Sequence, residues 1–357
     1  MKEISKQPST KNQDGPWRIT FDTNPDSCNI NCIMCEEHSN FRMNHQLAQA
    51  ENNAPRIMES TLIASVINSA APYGLREIIP STMGEPLLYP WFDEFIKNAT
   101  KHELKVNLTT NGTFPNGGVA YWAKKILPVA SDVKISINGS VPSINEKIMS
   151  GISHQQQLEN IERLLSIRDE IRDSGVNYPK VTFQLTFMRS NISDIENLVK
   201  LAVEMGADRV KGHHLWVTWP ELQAESLLND IESIRRWNKT VDSLRKFMQR
   251  KQESNIPTIR LDNFHPLPEK NQNNEIIPNE WTCPFTGREA WISWDGTFNV
   301  CCCPAEKRKT FGDFGNVLET NFMELWESDR YRSHTMHTGN HKVCKECNMR
   351  RPLEEVC

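Results

Sequence analysis

Between Trp17 and Met248 the chain switches repeatedly from short stretches of alternating apolar residues to longer stretches with helical spacing. Trp17, Ile19 and Phe21 alternate with polar residues as a strand does. Five further strands are expected at 75–79, 106–109, 133–137, 181–187 and 210–217. Helices are expected near 59–69, 91–102 and 119–126, then along Leu158, Ile161, Leu164, Leu165 and Ile171. Two more follow, one through Ile195, Leu198, Ala202 and Met205 to a Gly206 cap, the other from Ile231 to Met248. Strands alternating with helices specify an α/β fold with a parallel sheet and right-handed crossovers. Six such units build an open doubly wound sheet or a partial barrel, and both bind ligands at the carboxyl ends of the strands.

The ten cysteines are unevenly placed: three lie within 28–35, seven within 283–357 and none between. No apolar core follows the charges of the amino terminus, and no run of about 18 apolar residues occurs. A cytoplasmic protein without a membrane span is expected. In that compartment clustered cysteines more often bind metal or do redox chemistry than form disulfides. The net charge of -4 argues against a nucleic-acid partner. The length suits one large and one small domain: a loose tail at 1–16, a core at 17–262, a Pro-bearing linker at 263–282 and a cysteine-rich segment at 283–357.

Cys28, Cys32 and Cys35 sit on a loop after the first strand, three and two residues apart. Soft thiolates at such spacing suit an iron–sulfur cluster or zinc. A structural zinc would need a fourth ligand, for which only His38 is close. The spacing, with apolar Met34 before the last Cys, resembles the signature of the radical S-adenosylmethionine (SAM) superfamily. Further pieces follow successive strands. Ser81-Thr82-Met83-Gly84-Glu85-Pro86 resembles the family's Gly-Gly-Glu-Pro loop, with Met83 in place of the first Gly. Thr109-Thr110-Asn111-Gly112 resembles its ribose-side turn, and Ser136-Ile137-Asn138-Gly139 its Ser-Ile-Asp-Gly strand end, with Asn for Asp. Singly these are turn signals; their order carries the resemblance. It implies a partial (β/α)6 barrel and a [4Fe–4S] cluster on the three cysteines with one open iron. It also implies SAM held by Met34, Gly84, Glu85, Thr110, Asn111, Ser136 and Asn138, and a 5'-deoxyadenosyl radical formed when a flavodoxin or ferredoxin supplies one electron.

The second cysteine set holds Cys283, the run Cys301-Cys302-Cys303, and the pair Cys344 and Cys347. The two-residue gap of the pair is a metal-chelating spacing, and Gly296 permits a hairpin that brings Cys283 to Cys301. A zinc ribbon fits four such cysteines too. The segment resembles the SPASM/twitch extension of the family. Leu353 stands where a further ligand would be, and Cys357 ends the chain. One auxiliary [4Fe–4S] cluster on Cys283, Cys344, Cys347 and one of Cys301, Cys302 and Cys303 is therefore expected, the Gly296 spacing favouring Cys301.

Cys302 and Cys303 remain as candidate hydrogen-atom donors beside the ordinary reading of buried thiols as packing. Arg189, His213 and His214 are candidate substrate contacts, although neighbouring histidines on a strand face opposite ways. The expected activity is hydrogen abstraction from a C–H bond, with oxidation or epimerisation of a small carbohydrate or cyclitol as the leading outcome. Modification of a ribosomal peptide or partner protein is the alternative, and a non-catalytic iron–sulfur or zinc scaffold the reading from another class.

Overall fold

The computed structural model describes residues 15–42, 54–81, 83–175, 178–254, 258–269 and 277–353. The expected tail (up to residue 14), the middle of the expected linker and Cys357 lie outside the described residues. The strands are β1 (Arg18–Phe21), β2 (Asn31–Cys32), β3 (Glu77–Ile79), β4 (Lys105–Thr110), β5 (Ala130–Ser136), β6 (Met149–Ser150), β7 (Lys180–Phe187), β8 (Arg209–His214), β9 (Arg260–Asp262), β10 (Glu289–Ile292) and β11 (Phe298–Asn299). The helices of the core are α1 (Ser60–Ala70), α2 (Phe92–Lys101), α3 (Gly118–Ile126), α4 (Pro142–Ile148), α5 (His154–Asp173), α6 (Ile195–Met205) and α7 (Ile231–Glu253).

One sheet carries the strands in the order β11-β10-β1-β3-β4-β5-β7-β8-β9. Its central six are the expected strands in their expected succession, all parallel. Covered parallel sheets usually run apolar on both faces. Here only one face is apolar: Ile19, Ile78, Val106, Val133, Val181 and Val210 are all fully buried. Burying each such side chain contributes about 1.5–3 kcal/mol. The opposite face presents Arg18, Thr20, Lys134, Ser136, Gln184 and Lys211 to a cavity. That is the lumen of a partial barrel, and it explains the strict period of two.

Local signals set the helix ends. Ser153 caps α5 and Asp230 caps α7, each side chain accepting a backbone N–H from within the first turn. Gly206 closes α6 at φ 80°, in the left-handed region. Strand β8 stops at His214, short of the expected 217, because neighbouring β7 ends at Phe187 and offers nothing further to pair with. Helix α4 and the β2–β6 ribbon were not expected; two-residue strands carry no periodic signal.

The cysteine-rich segment is not appended as a bead. Strand β10 pairs in parallel with β1, and β11 folds back on β10, so the sheet continues across the expected linker. Gly296 sits in that hairpin at φ 83°, and a Cβ there would lie 2.6 Å from Asn316 Oδ1. Four short helices follow: α8 (Ala305–Lys309), α9 (Phe322–Glu327), α10 (Asp329–Met336) and α11 (Lys342–Lys345).

Candidate active site

A cavity of about 430 Å³ opens at the carboxyl ends of the barrel strands. Cys28, Cys32 and Cys35 all border it. Their loop is held from several sides. Strand β2 pairs with β6, Trp219 Nε1 donates to the Cys35 carbonyl at 3.0 Å, and Glu85 N donates to the Ser27 carbonyl at 2.7 Å. The His38 backbone N–H donates to Cys35 Sγ at 3.3 Å. The ring of His38, which a zinc site would borrow, spends Nε2 on the Pro25 carbonyl at 2.7 Å.

Burial pushes the Cys35 thiol up to about 12 and raises Cys32 and Cys28 as well. Thiols so placed keep their protons unless a metal takes the protons' place. Among the described residues no three His, Cys, Asp or Glu side chains converge on a single-ion position. A cluster of several irons spreads its thiolates wider than one ion does. Three soft donors from one loop, around an open cavity, fit an iron–sulfur cluster with one iron left for a further ligand.

The other motif residues lie in or beside the cysteine loop. Met34, Gly84, Glu85, Thr110, Asn111 and Ser136 all border the same cavity. Gly84 holds φ 76°, and a Cβ there would stand 2.3 Å from the Asn24 carbonyl oxygen and 2.8 Å from that of Ser27. Glu85 is buried, and its carboxylate accepts from Thr110 Oγ1 at 2.7 Å, Asn111 N at 2.8 Å and Leu87 N at 3.3 Å. It therefore stitches the Gly84 loop to the end of β4. Burial pushes its carboxyl up to about 7 against those three donors. Asn111 Nδ2 reaches Asn29 Oδ1 at 2.8 Å and Cys28 Sγ at 4.0 Å, which joins the turn after β4 to the cysteine loop.

Four expected contacts do not reach this cavity. Asn138 is turned into the loop after β5, its Oδ1 accepting Thr186 N at 2.9 Å and its N–H donating to Asn145 Oδ1 at 2.8 Å. Arg189 is half exposed and pairs with Asp230 at the start of α7. His214 faces the helix layer, between Phe187 and Trp237 with ring centroids at 5.3 and 4.8 Å. His213 faces the cavity, as alternation along a strand requires. Cys303 is 1 % exposed and absent from the cavity wall, whereas Cys302 borders it.

The second cysteine set gathers nearby. Burial, then the charges of Cys301 and Cys283, raise both Cys344 and Cys347, the latter to about 12. Cys301 is the thiol favoured as thiolate, because Cys302 and Cys303 both hydrogen-bond to it. Cys347 feels the charges of Cys301, Cys283 and Cys344, so the four thiols share one neighbourhood, spread wider than a single-ion position, and fit an iron–sulfur cluster.

Sequence reasoning missed the cavity residues Lys134, Lys211, Gln184 and Trp291. The available signal was polar alternation in strands of a parallel sheet covered by helices on its other face, which marks a lumen rather than solvent.

Comparison with known proteins agrees with this geometry. The family model of the radical SAM superfamily matches residues 25–202, and that of SPASM, an iron–sulfur cluster-binding domain, matches 283–348. A tungsten-containing aldehyde ferredoxin oxidoreductase cofactor-modifying protein of Pyrococcus furiosus is 22% identical over 350 residues, covering 90% of this chain and 85% of its own. Mycofactocin maturase MftC of Mycobacterium ulcerans is 24% identical over 193 residues, 54% of this chain and 44% of its own. The crystal structure of Streptococcus suis SuiB superposes with a TM-score of 0.64 at 15% identity, covering 94% of this chain and 71% of SuiB. Among the described residues no helix is long and apolar enough to cross a membrane. Proteins of this family bind a [4Fe–4S] cluster and SAM, and SPASM domains bind auxiliary iron–sulfur clusters. The chain belongs to the radical SAM superfamily and carries a C-terminal SPASM domain.

Proposed function

We propose that this enzyme is a maturase that modifies a C–H bond of a peptide or of a partner protein. The observation that supports the reading is the pair of matches to mycofactocin maturase MftC and, through both domains and most of each chain, to the cofactor-modifying protein of Pyrococcus furiosus. The oxidation or epimerisation of a carbohydrate or cyclitol, expected from the single auxiliary site, gains no support from relatives named for cofactor modification and maturation.

In this reading Cys28, Cys32 and Cys35 hold the first cluster, and Cys283, Cys301, Cys344 and Cys347 the auxiliary one. When bound, the first cluster and SAM supply the one-electron chemistry that makes a C–H bond reactive. The protein's own part is placement. Glu85 fixes the Gly84 loop and the Asn111 turn to each other, so both face the cysteine loop in one arrangement. Met34, Met149 and Leu215 give the cavity an apolar wall that limits water near a reactive intermediate. Cys302 brings the second cysteine set to the same cavity. A flavodoxin or ferredoxin is the proposed electron donor.

The test is anaerobic incubation of the reconstituted protein with SAM, reductant and deuterated peptides, followed by mass spectrometry. Deuterium appearing in 5'-deoxyadenosine together with a mass change of the peptide supports the reading. Deuterium transfer from polyols but never from peptides would overturn it. Failure to cleave SAM with both clusters intact would favour a non-catalytic scaffold.

A further inference from the structure

Arg18 and Arg209, on the polar side of the sheet, are both committed to carboxylates. Arg18 holds Glu77 at 2.6 Å and Glu289 at 2.8 Å. Arg209 holds Asp132, and Asp262 at 2.9 Å. Lys134 on β5 and Lys211 on β8 border the cavity, and neither side chain makes a hydrogen bond or ion pair among the described residues. Lys134 is only 5 % exposed. Between the two strands lies β7, whose Gln184 is in register with Lys211 and also faces the cavity.

We propose that Lys134 and Lys211 form an oxyanion-binding end of the cavity, which takes a carboxylate or phosphate group carried by the substrate. The assignment rests on the reading of this cavity as the substrate site.

Two ammonium groups facing one cavity repel each other, and burial makes the repulsion more costly. Burial first, and then the charges of Lys134, Arg351, Arg209 and Arg18, lower Lys211 to about 7. Burial lowers Lys134 as well; Asp132 and Glu77 oppose that shift, but both are already bonded to arginines. Glu289 borders the cavity with Oε1 on Arg18, and His213 completes the titratable wall with its imidazole lowered by burial to about 4. Among the described residues, the lysines and arginines that border the cavity without a bonded carboxylate are therefore Lys134 and Lys211. An oxyanion placed between them would relieve their repulsion and gain charge-assisted hydrogen bonds, with Gln184 Nε2 as a further donor. Lys134 lies two residues before Ser136, deeper along β5 than the rim where SAM is proposed to sit.

The experiment uses the full-length holoprotein saturated with SAM and equilibrium dialysis of two probes. Sulfate stands in for phosphate with its charge fixed across the pH range, and glutarate supplies carboxylates. The proposal expects one probe to bind at a single site, and the preferred probe distinguishes phosphate from carboxylate. Lys211→Met should weaken that binding about tenfold or more, as loss of one charge-assisted bond implies. Lys211→Arg should keep it within about threefold. Binding should fall between pH 6 and pH 8.5 as Lys211 loses its proton. Lys134→Met is the second arm, and if it does not fold, the two Lys211 variants decide. Binding of neither probe, or unchanged binding in Lys211→Met, would each overturn the assignment. No turnover enters the measurement, so a negative result leaves the maturase reading to its own test.

Discussion

Glu36 and Ala305 lie 269 residues apart in sequence, yet the Glu36 carboxylate accepts the Ala305 backbone N–H at 2.7 Å. Glu36 follows Cys35, and Ala305 opens α8 two residues after Cys303. The bond ties the first cysteine loop to the segment that carries the second set. Removing it in Glu36→Ala should cost about 1.5–3 kcal/mol, the usual range for a hydrogen bond to a charged group. Glu36→Gln should recover most of the loss. Anaerobic thermal melting of the three proteins checks this.

Gly84→Ala should be among the most damaging small substitutions. Backbone oxygens of Asn24 and Ser27 leave no room for a Cβ, and φ 76° is strained for any other residue. The loop must then retreat from the cysteine loop. Calorimetric titration should show SAM binding weakened about tenfold or more, since a 1.4 kcal/mol loss alone is tenfold.

Glu85 should make stability depend on pH. Its carboxyl is raised from the usual 4.5 to about 7, with burial as the first cause. A carboxyl raised in the folded state contributes fully below its unfolded pKa and loses that contribution as pH climbs through 7. Between pH 5 and pH 8 the loss is on the order of 3 kcal/mol, because one unit is about 1.4 kcal/mol. Urea denaturation across that range should show a flatter profile for Glu85→Gln than for the parent protein.

The two faces of β8 separate the histidines experimentally. His214→Ala removes a ring packed on Phe187 and Trp237 and should cost about 3 kcal/mol in denaturant titrations, as other large-to-small core changes do. His213→Ala should leave stability within about 1 kcal/mol, because its ring borders a cavity instead of filling a core. Its effect should appear in substrate-dependent formation of 5'-deoxyadenosine.

Iron and sulfide analysis distinguishes the consecutive cysteines. Cys301→Ala should lower the iron content by about half, as loss of one of two clusters requires. Cys302→Ala should leave it unchanged, because Cys302 borders the cavity. Equal losses from both variants would show that the auxiliary site draws on Cys302 as well.

Much of this architecture was legible before any coordinates. Alternation at Trp17, Ile19 and Phe21 or at Val181, Phe183 and Leu185 follows from one apolar face packed under helices. The cysteine loop, Gly84, Asn111 and Ser136 were legible because each follows a strand, and parallel strands deliver their carboxyl ends to one place. The place of Asn138 is not legible in the sequence for a physical reason: an amide two residues beyond Ser136 can serve the loop as readily as a ligand, and here it bonds Thr186 N. The pairing of Arg189 with Asp230 is not legible in the sequence, because no local pattern reveals a partner 41 residues away.

The sequence by itself determined the succession of strands and helices, the two thiol sets and the motif turns, because these rest on interactions within a few residues of one another. Only the tertiary structure decided that β10 joins β1, that Glu36 meets Ala305, that Cys302 rather than Cys303 borders the cavity, and that Lys134 and Lys211 face the same space. Those outcomes depend on which distant strands become neighbours and how the sheet curves, and curvature turns a row of polar side chains from a wet surface into the lining of a cavity.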